Sequence, residues 1–109
     1  MKHLIVTADD FGRSIAINEA VDEGHRKGIL TSASLMVTAP QSADAIQRAQ
    51  VLPELRVGLH VVVVDGEPCL PTGEVADLLG PDGRFSQQLV RSGFKFFFSA
   101  RVRRQLAAE

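Results

Sequence analysis

The sequence contains no tryptophan or tyrosine, and it has one cysteine, Cys69. A single cysteine cannot form an internal disulfide, so the chain is expected to work in a reducing, cytoplasmic setting. No apolar run approaches the ~20 residues of a membrane span, and the apolar N-terminus meets Asp9 too soon for a signal peptide. An excess of one charge is also missing, since 12 Lys and Arg residues oppose 13 Asp and Glu residues. This balance does not favour nucleic acid as a partner.

The 109 residues are 45% hydrophobic and 23% charged, a composition typical of a globular domain. Apolar, β-rich segments alternate with helical patterns, which predicts strands over residues 4–8, 31–37 and 56–63 and helices over 14–27 and 42–49. Strands separated by helices indicate parallel βαβ units, and therefore an α/β fold. The first strand shows no polar alternation, so we expect it to be buried on both faces.

The second half of the chain is richer in turn residues, with one helical turn predicted over residues 74–79 and a last helix capped by Ser99. The aromatic run Phe94 to Phe98 is expected to pack in a core, with a lipid or partner surface as the alternative. The last helix reaches Glu109 without a stop signal. We therefore expect residues 1–109 to be the N-terminal portion of one larger domain, whose open sheet edges permit homo-oligomers.

Three polar residues follow or interrupt the predicted strands. Asp9 and Asp10 come directly after the first strand, and His60 is the one polar side chain in the apolar stretch of the third. Parallel strands end at the same edge of a sheet, where ligands gather. An aspartate and a histidine there form a partial shell for Zn²⁺ or Mg²⁺. The alternatives are turn-forming or helix-capping aspartates and a core histidine.

Other candidate residues are better explained by structure than by chemistry. His3 enters the first strand at the end opposite Asp10, and His25 lies near a helix C-terminus, where a cation is favourable. Cys69 has no evident base beside it. The cluster Arg101, Arg103 and Arg104 is expected to be a solvated helix face.

Three strings occur in register along the chain: Ala8-Asp9-Asp10-Phe11-Gly12, then the segment from Gly28 to Val37, then Val57-Gly58-Leu59-His60. Together they resemble the opening of the YdjC-like carbohydrate deacetylases. The stretch from Asp82 to Phe85 and on through Gly93 to Phe98 is most similar to the hopanoid-biosynthesis-associated branch called HpnK.

The resemblance implies a distorted (β/α) barrel that carries a divalent metal, Mg²⁺ or Zn²⁺, and removes acetyl groups from N-acetylated sugars or glycolipids. It implies that Asp10 and His60 are metal ligands and that Asp9 accepts a proton as general base. The family's third ligand is a histidine in a later motif that these 109 residues lack, and no general acid is evident. The chain is therefore expected to be incomplete and inactive alone.

Two functions of other classes compete with this interpretation. In a receiver-like phosphoacceptor domain, Asp65 after the third strand is the acceptor, but His60 is then unexplained. In a non-catalytic module, the chain oligomerises through Phe94 to Phe98 and its open sheet edges.

Overall fold

The computed structural model describes residues 1–64 and 66–109, without the side chains of residues 89–91. The candidate phosphoacceptor Asp65 therefore lies outside the described residues. The chain divides into two compact units, Met1–Val61 and Val62–Glu109.

The first unit alternates strands and helices. Its elements are β1 (Thr7–Phe11), α1 (Ile15–Lys27), β2 (Ser32–Leu35), α2 (Ser42–Gln50) and β3 (Arg56–Leu59). The strands form one parallel sheet in the order β1-β2-β3. This confirms the predicted α/β fold built from parallel βαβ units.

Local sequence signals set the ends of α1. The Ser14 hydroxyl accepts a hydrogen bond from the Ile17 N–H at 3.2 Å, which satisfies a helix donor that has no partner within the helix. At the other end, the Gly28 N–H donates to the Gly24 carbonyl at 3.1 Å, after a basic last turn. The helix then packs against β1 through an apolar side that includes the buried Val21.

The expectation that the first strand is buried on both faces was wrong. The strand begins at Thr7, and both Leu4 and Ile5 are 77% exposed. Asp9 and Asp10 therefore lie within β1, and the prediction that they follow the first strand was wrong. Apolar side chains of β1 and β2 pack with α1 and α2 in one core. The other face of the sheet is polar, since the hydroxyls of Thr7 and Ser32 lie 2.7 Å apart across the two strands. The helices thus supply apolar partners to one face only.

The second unit is mostly helical. After a 3-10 turn at Ala76–Leu78 come α3 (Leu89–Phe98) and α4 (Ala100–Ala108), and a small core joins Val75, Leu78, Phe85 and Val102. The Ser99 hydroxyl caps α4 by accepting from the Val102 N–H at 3.3 Å, as predicted. No helix in the described part of the chain is both long and apolar enough to cross a membrane.

The prediction that the aromatic run packs in a core was wrong for most of its members. Phe96 packs against the core of the second unit, but Phe94, Phe97 and Phe98 are 63%, 81% and 79% exposed. A helix places residues separated by one or two positions on different sides, so one helix cannot bury four phenylalanines in a run of five residues against one neighbour.

Candidate functional site

A β-bulge at the end of β1 places two adjacent aspartates at one edge of the sheet. Thr7 pairs with Ser32 and Ala8 with Ala33, but the next pair is Phe11 with Leu35. The step from Ala8 to Phe11 covers three residues on β1, whereas the partner strand advances by two. Bulges of this kind redirect side chains and are over-represented next to active sites.

The extra residue forces an uncommon backbone conformation on Asp10. Its φ is +62°, and it is the one non-glycine residue with positive φ in the described part of the chain. Aspartate tolerates this left-handed region better than most residues, yet the conformation is still unfavourable. Backbone outliers of this type cluster at functional sites.

Gly12 completes the turn after β1. Its φ is +102°, and a Cβ there would lie 3.1 Å from the Met36 carbonyl oxygen. Both the backbone angle and the close approach of the Met36 carbonyl therefore require glycine at this position.

Ser34 on β2 connects the first aspartate to the histidine. Its hydroxyl donates to Asp9 Oδ1 at 2.7 Å, and its Oγ lies 3.1 Å from His60 Nδ1. His60 is the first residue after β3, and its N–H donates to the Leu35 carbonyl at 2.9 Å. Its predicted position inside a strand that extends to residue 63 was therefore wrong, and it lies at the same sheet edge as the aspartates.

Asp10 faces the same histidine. Its Oδ1 lies 3.8 Å from His60 Nδ1, while its Oδ2 accepts from Arg13 Nη1 at 3.0 Å. Both side chains are partly buried, with 33% of Asp10 and 26% of His60 exposed. One carboxylate oxygen thus remains directed towards the imidazole while the other is neutralised by an exposed arginine.

The residues present fit a two-ligand share of a divalent metal site. Ligands of one zinc ion each lie about 2.0–2.2 Å from it, so a shared ion requires donor atoms within roughly 4 Å of each other. Asp10 Oδ1 lies 3.8 Å from His60 Nδ1, which places a carboxylate oxygen beside the imidazole ring. Because the Ser34 proton goes to Asp9, Nδ1 is the nitrogen that donates to Ser34, and Nε2 is left to bind an ion. Across residues 1–64 and 66–109, however, no group of three His, Cys, Asp or Glu residues is arranged to hold a metal. Catalytic zinc sites typically use three protein ligands.

A buried asparagine holds the turn that carries the aspartates. Asn18 on α1 is fully buried, and its Oδ1 accepts from the Gly12 N–H at 2.7 Å. Its amide nitrogen donates to the Gln41 carbonyl at 3.0 Å and to Asp44 Oδ2 at 2.8 Å. These bonds tie the turn after β1 to α1 and to the start of α2.

Asp44 extends this network to a charged cluster. Arg48 Nε donates to Asp44 Oδ2 at 2.8 Å, and Arg48 also approaches Asp22 at 3.4 Å. The hydrogen bond from Arg48, reinforced by the one from Asn18, lowers the pKa of Asp44 below its ordinary value. The same pairing raises the pKa of Arg48.

The remaining sequence candidates make other contacts or are exposed. His25 Nδ1 lies 2.9 Å from the Leu30 carbonyl, which places the ring in the turn after α1. His3 is exposed ahead of β1, and Cys69 is an exposed free thiol in the second unit. Arg101 pairs with Asp77 at 2.7 Å, and Arg103 donates to the Phe97 carbonyl at 2.6 Å.

Sequence reasoning missed three residues that shape the site: Arg13, Asn18 and Ser34. Ser32 and Ser34 alternate with alanine in a short strand, and that alternation was the available signal for a polar sheet face. Asn18 gave a weaker signal, a polar residue on the apolar side of a helix.

A scan against protein-family models matches residues 3–109 to YdjC-like protein. A carbohydrate deacetylase of Thermoanaerobacter pseudethanolicus is 37% identical over 87 residues, which cover 80% of this chain and 35% of that protein. Another of Brevibacillus brevis is 43% identical over 82 residues, covering 75% and 32%. The chain therefore spans about a third of the length of these curated relatives.

A solved structure is similar in fold to most of this chain. The crystal structure of an Enterococcus faecalis V583 protein, named for cellobiose-phosphate cleavage, superposes with a TM-score of 0.73 at 31% identity. The match covers 79% of this chain and 34% of that one.

Proposed function

Because the chain belongs to the YdjC-like family, we propose that it supplies one part of the active site of a deacetylase acting on N-acetylated sugars or glycolipids. The observation that carries this proposal is the convergence of Asp9, Asp10 and His60 at one sheet edge, bridged by Ser34. The three parallel strands would form the first part of a distorted (β/α) barrel. The deacetylase proposal gives His60 a role as a ligand, whereas the receiver-like alternative leaves this residue unexplained.

We assign Asp10 and His60 as ligands of a divalent metal, Mg²⁺ or Zn²⁺. Such a metal lowers the pKa of a bound water towards ~7 and polarises a carbonyl group. Arg13 neutralises the outer oxygen of Asp10 and leaves Oδ1 for the ion. Since the relatives are about three times as long as this chain, a third ligand and a general acid are proposed to come from residues outside it.

Asp9 is proposed as the general base. The Ser34 hydroxyl donates to Asp9 Oδ1, which fixes the carboxylate and leaves its second oxygen to accept a proton from water. The water oxygen then bonds to the acetyl carbon, the carbon–nitrogen bond breaks, and the leaving nitrogen takes a proton from the general acid, which gives acetate and a free amine. Ser34 thus keeps the base beside His60.

We propose a finer substrate class from the second half of the chain. The strings from Asp82 to Phe85 and from Gly93 to Phe98 resemble the HpnK branch, and they support a hopanoid-linked glycolipid as the substrate. A cytoplasmic enzyme fits the single cysteine.

Metal binding by this chain tests the assignment. Calorimetric titration with Zn²⁺ and with Mg²⁺ is expected to show binding that weakens at least tenfold in Asp10→Asn and in His60→Ala, because each removes one of two ligands. His25→Ala is the matched control, since it removes an imidazole from the turn after α1 and is expected to leave affinity unchanged. Equal affinity in all four proteins would contradict the ligand assignment.

The base is tested by chemistry. In a full-length protein that contains this chain, acetate release from an N-acetylglucosamine-containing glycolipid, measured with the metal present, is expected to fall at least ~100-fold in Asp9→Asn while metal affinity is retained. If Asp9→Asn releases acetate at the wild-type rate, Asp9 is not the base. If metal binds and the full-length wild type releases no acetate, it is not a deacetylase of this substrate.

A further inference from the structure

Three phenylalanines form an exposed aromatic patch on α3. Phe94, Phe97 and Phe98 are each more than 60% exposed. The rings of Phe94 and Phe98 stack with centroids 6.0 Å apart, and those of Phe97 and Phe98 lie 6.1 Å apart. A contiguous apolar surface of this kind on a polar background marks an interaction site.

Charge is segregated along the sequence that contains the aromatic patch, although Arg101 pairs with Asp77 and Arg84 pairs with Glu67. Residues 83–108 contain six of the 12 basic residues and none of the 13 acidic residues. Arg103 lies directly beside the patch, since its guanidinium donates to the Phe97 carbonyl at the end of α3. Arg101 and Arg104 are exposed on the following helix.

We propose that the aromatic patch docks onto an anionic lipid surface. Phenylalanines enter the boundary between headgroups and acyl chains, and neighbouring Lys and Arg side chains bind the anionic headgroups. This inference is independent of the proposed deacetylase chemistry. A second copy of the chain is a poorer occupant, because pairing two such faces would bring basic residues against basic residues. Single-stranded nucleic acid is also disfavoured, since the rings stack on one another rather than offering separated platforms for bases.

The absence of tryptophan and tyrosine provides a reporter without background. In Phe97→Trp, the new indole is the one strong fluorophore, and its emission is expected to shift to the blue with vesicles containing about 30% phosphatidylglycerol in phosphatidylcholine. Pure phosphatidylcholine vesicles are expected to produce a much smaller shift. Ile29→Trp is the matched control, because Ile29 is 74% exposed in the first unit, and no shift is expected there.

Vesicle sedimentation supplies a second measurement. Phe97→Ser/Phe98→Ser is expected to lower partitioning onto anionic vesicles at least tenfold, because two exposed apolar side chains are lost. Leu4→Ser/Ile5→Ser is the control pair, with both wild-type residues 77% exposed. Circular dichroism checks that each variant keeps its helices.

Three results would overturn the proposal. One is an unshifted Phe97→Trp emission with anionic vesicles. A second is an emission shift that depends on protein concentration alone, which would show that a second copy covers the patch. A third is a shift with single-stranded oligonucleotide and none with vesicles.

Discussion

Ser34 links the two chemical groups of the site with a single hydroxyl. Its one proton goes to Asp9, because an ionised carboxylate can only accept, and its oxygen remains beside the His60 ring. The serine therefore sets where the carboxylate and the imidazole lie relative to each other. We place it among the positioning residues of the proposed site.

Removing the Ser34 hydroxyl distinguishes its effect on metal affinity from its effect on the stability of the fold. Ser34→Ala is expected to weaken zinc affinity about 10–100-fold, as loss of an outer-shell partner does. Its effect on stability is expected to be about 1 kcal/mol, the worth of a typical hydrogen bond. Calorimetry with Zn²⁺ and thermal melts measure the two effects.

Ser32→Ala is the matched control for this serine. Ser32 lies on the same strand, and its hydroxyl bonds Thr7 and the Val6 carbonyl instead of the site residues. A comparable loss of zinc affinity in both variants would mean that strand stability, rather than the bridge to Asp9, sets the affinity.

The bulge in β1 interrupts the pairing of the strand at the two aspartates of the proposed site. Asp10 adopts the left-handed backbone conformation and Asp9 does not, so the two adjacent aspartates differ in backbone strain. A substitution at each position tests that difference.

The order of stability of the glycine and alanine variants is expected to be opposite at Asp10 and at Asp9. Asp10→Gly is expected to be more stable than Asp10→Ala by about 1 kcal/mol, since glycine adopts positive φ without strain. At Asp9 the alanine variant is expected to be the more stable by about 0.5–1 kcal/mol. Urea unfolding measures all four proteins, and both members of each pair lose the same carboxylate. The same order at both positions would show that Asp10 is not strained.

Elements with strong local signals were predicted well from the sequence. Helix α1 has a serine cap, a periodic apolar side and a glycine stop, and its bounds are confirmed. The second and third strands were predicted too long, and the first was predicted three residues too early, because apolar residues such as Leu4 and Val61 lie outside the paired segments. Where a strand ends depends on its pairing with a neighbouring strand, and the hydrophobic pattern of a single segment holds no information about that neighbour.

At the scale of the whole molecule, the first unit is held together by a polar network as well as by its core. Asn18, Asp44 and Arg48 join the turn after β1 to both helices. The site therefore depends on residues that never face it.

That network predicts sensitivity to acid. The pKa of Asp44 is lower in the folded chain than in the unfolded chain, chiefly because of Arg48, so the folded state holds this carboxylate ionised. The stabilisation is complete above the ordinary aspartate pKa of ~3.9 and is lost as the pH falls through the lower folded value. Urea unfolding as a function of pH is expected to show a shallower acid loss in Asp44→Asn than in wild type. Glu54→Gln, at an exposed position, serves as the control, and equal acid slopes in wild type and Asp44→Asn would contradict the assignment.

The placement of Asp9, Asp10 and His60 at one edge was predictable, because parallel strands end together. The hydrogen bonds that hold these residues together could not be predicted from the sequence. The bridge through Ser34 depends on the register between β1, β2 and β3, and the turn depends on Asn18, whose three partners lie up to 26 residues away in sequence. Such contacts form only after the chain has folded.

The bulge also has a consequence for how this strand tolerates deletions. Without one of its two aspartates, β1 would pair Thr7, Ala8, a single aspartate and Phe11 with four consecutive residues of β2, in unbroken register. A one-codon deletion there would shorten the gene and regularise the sheet while removing either the proposed base or the proposed ligand. The second aspartate is thus an extra residue in the pairing of β1 with β2, and the proposed division of roles between base and ligand depends on it.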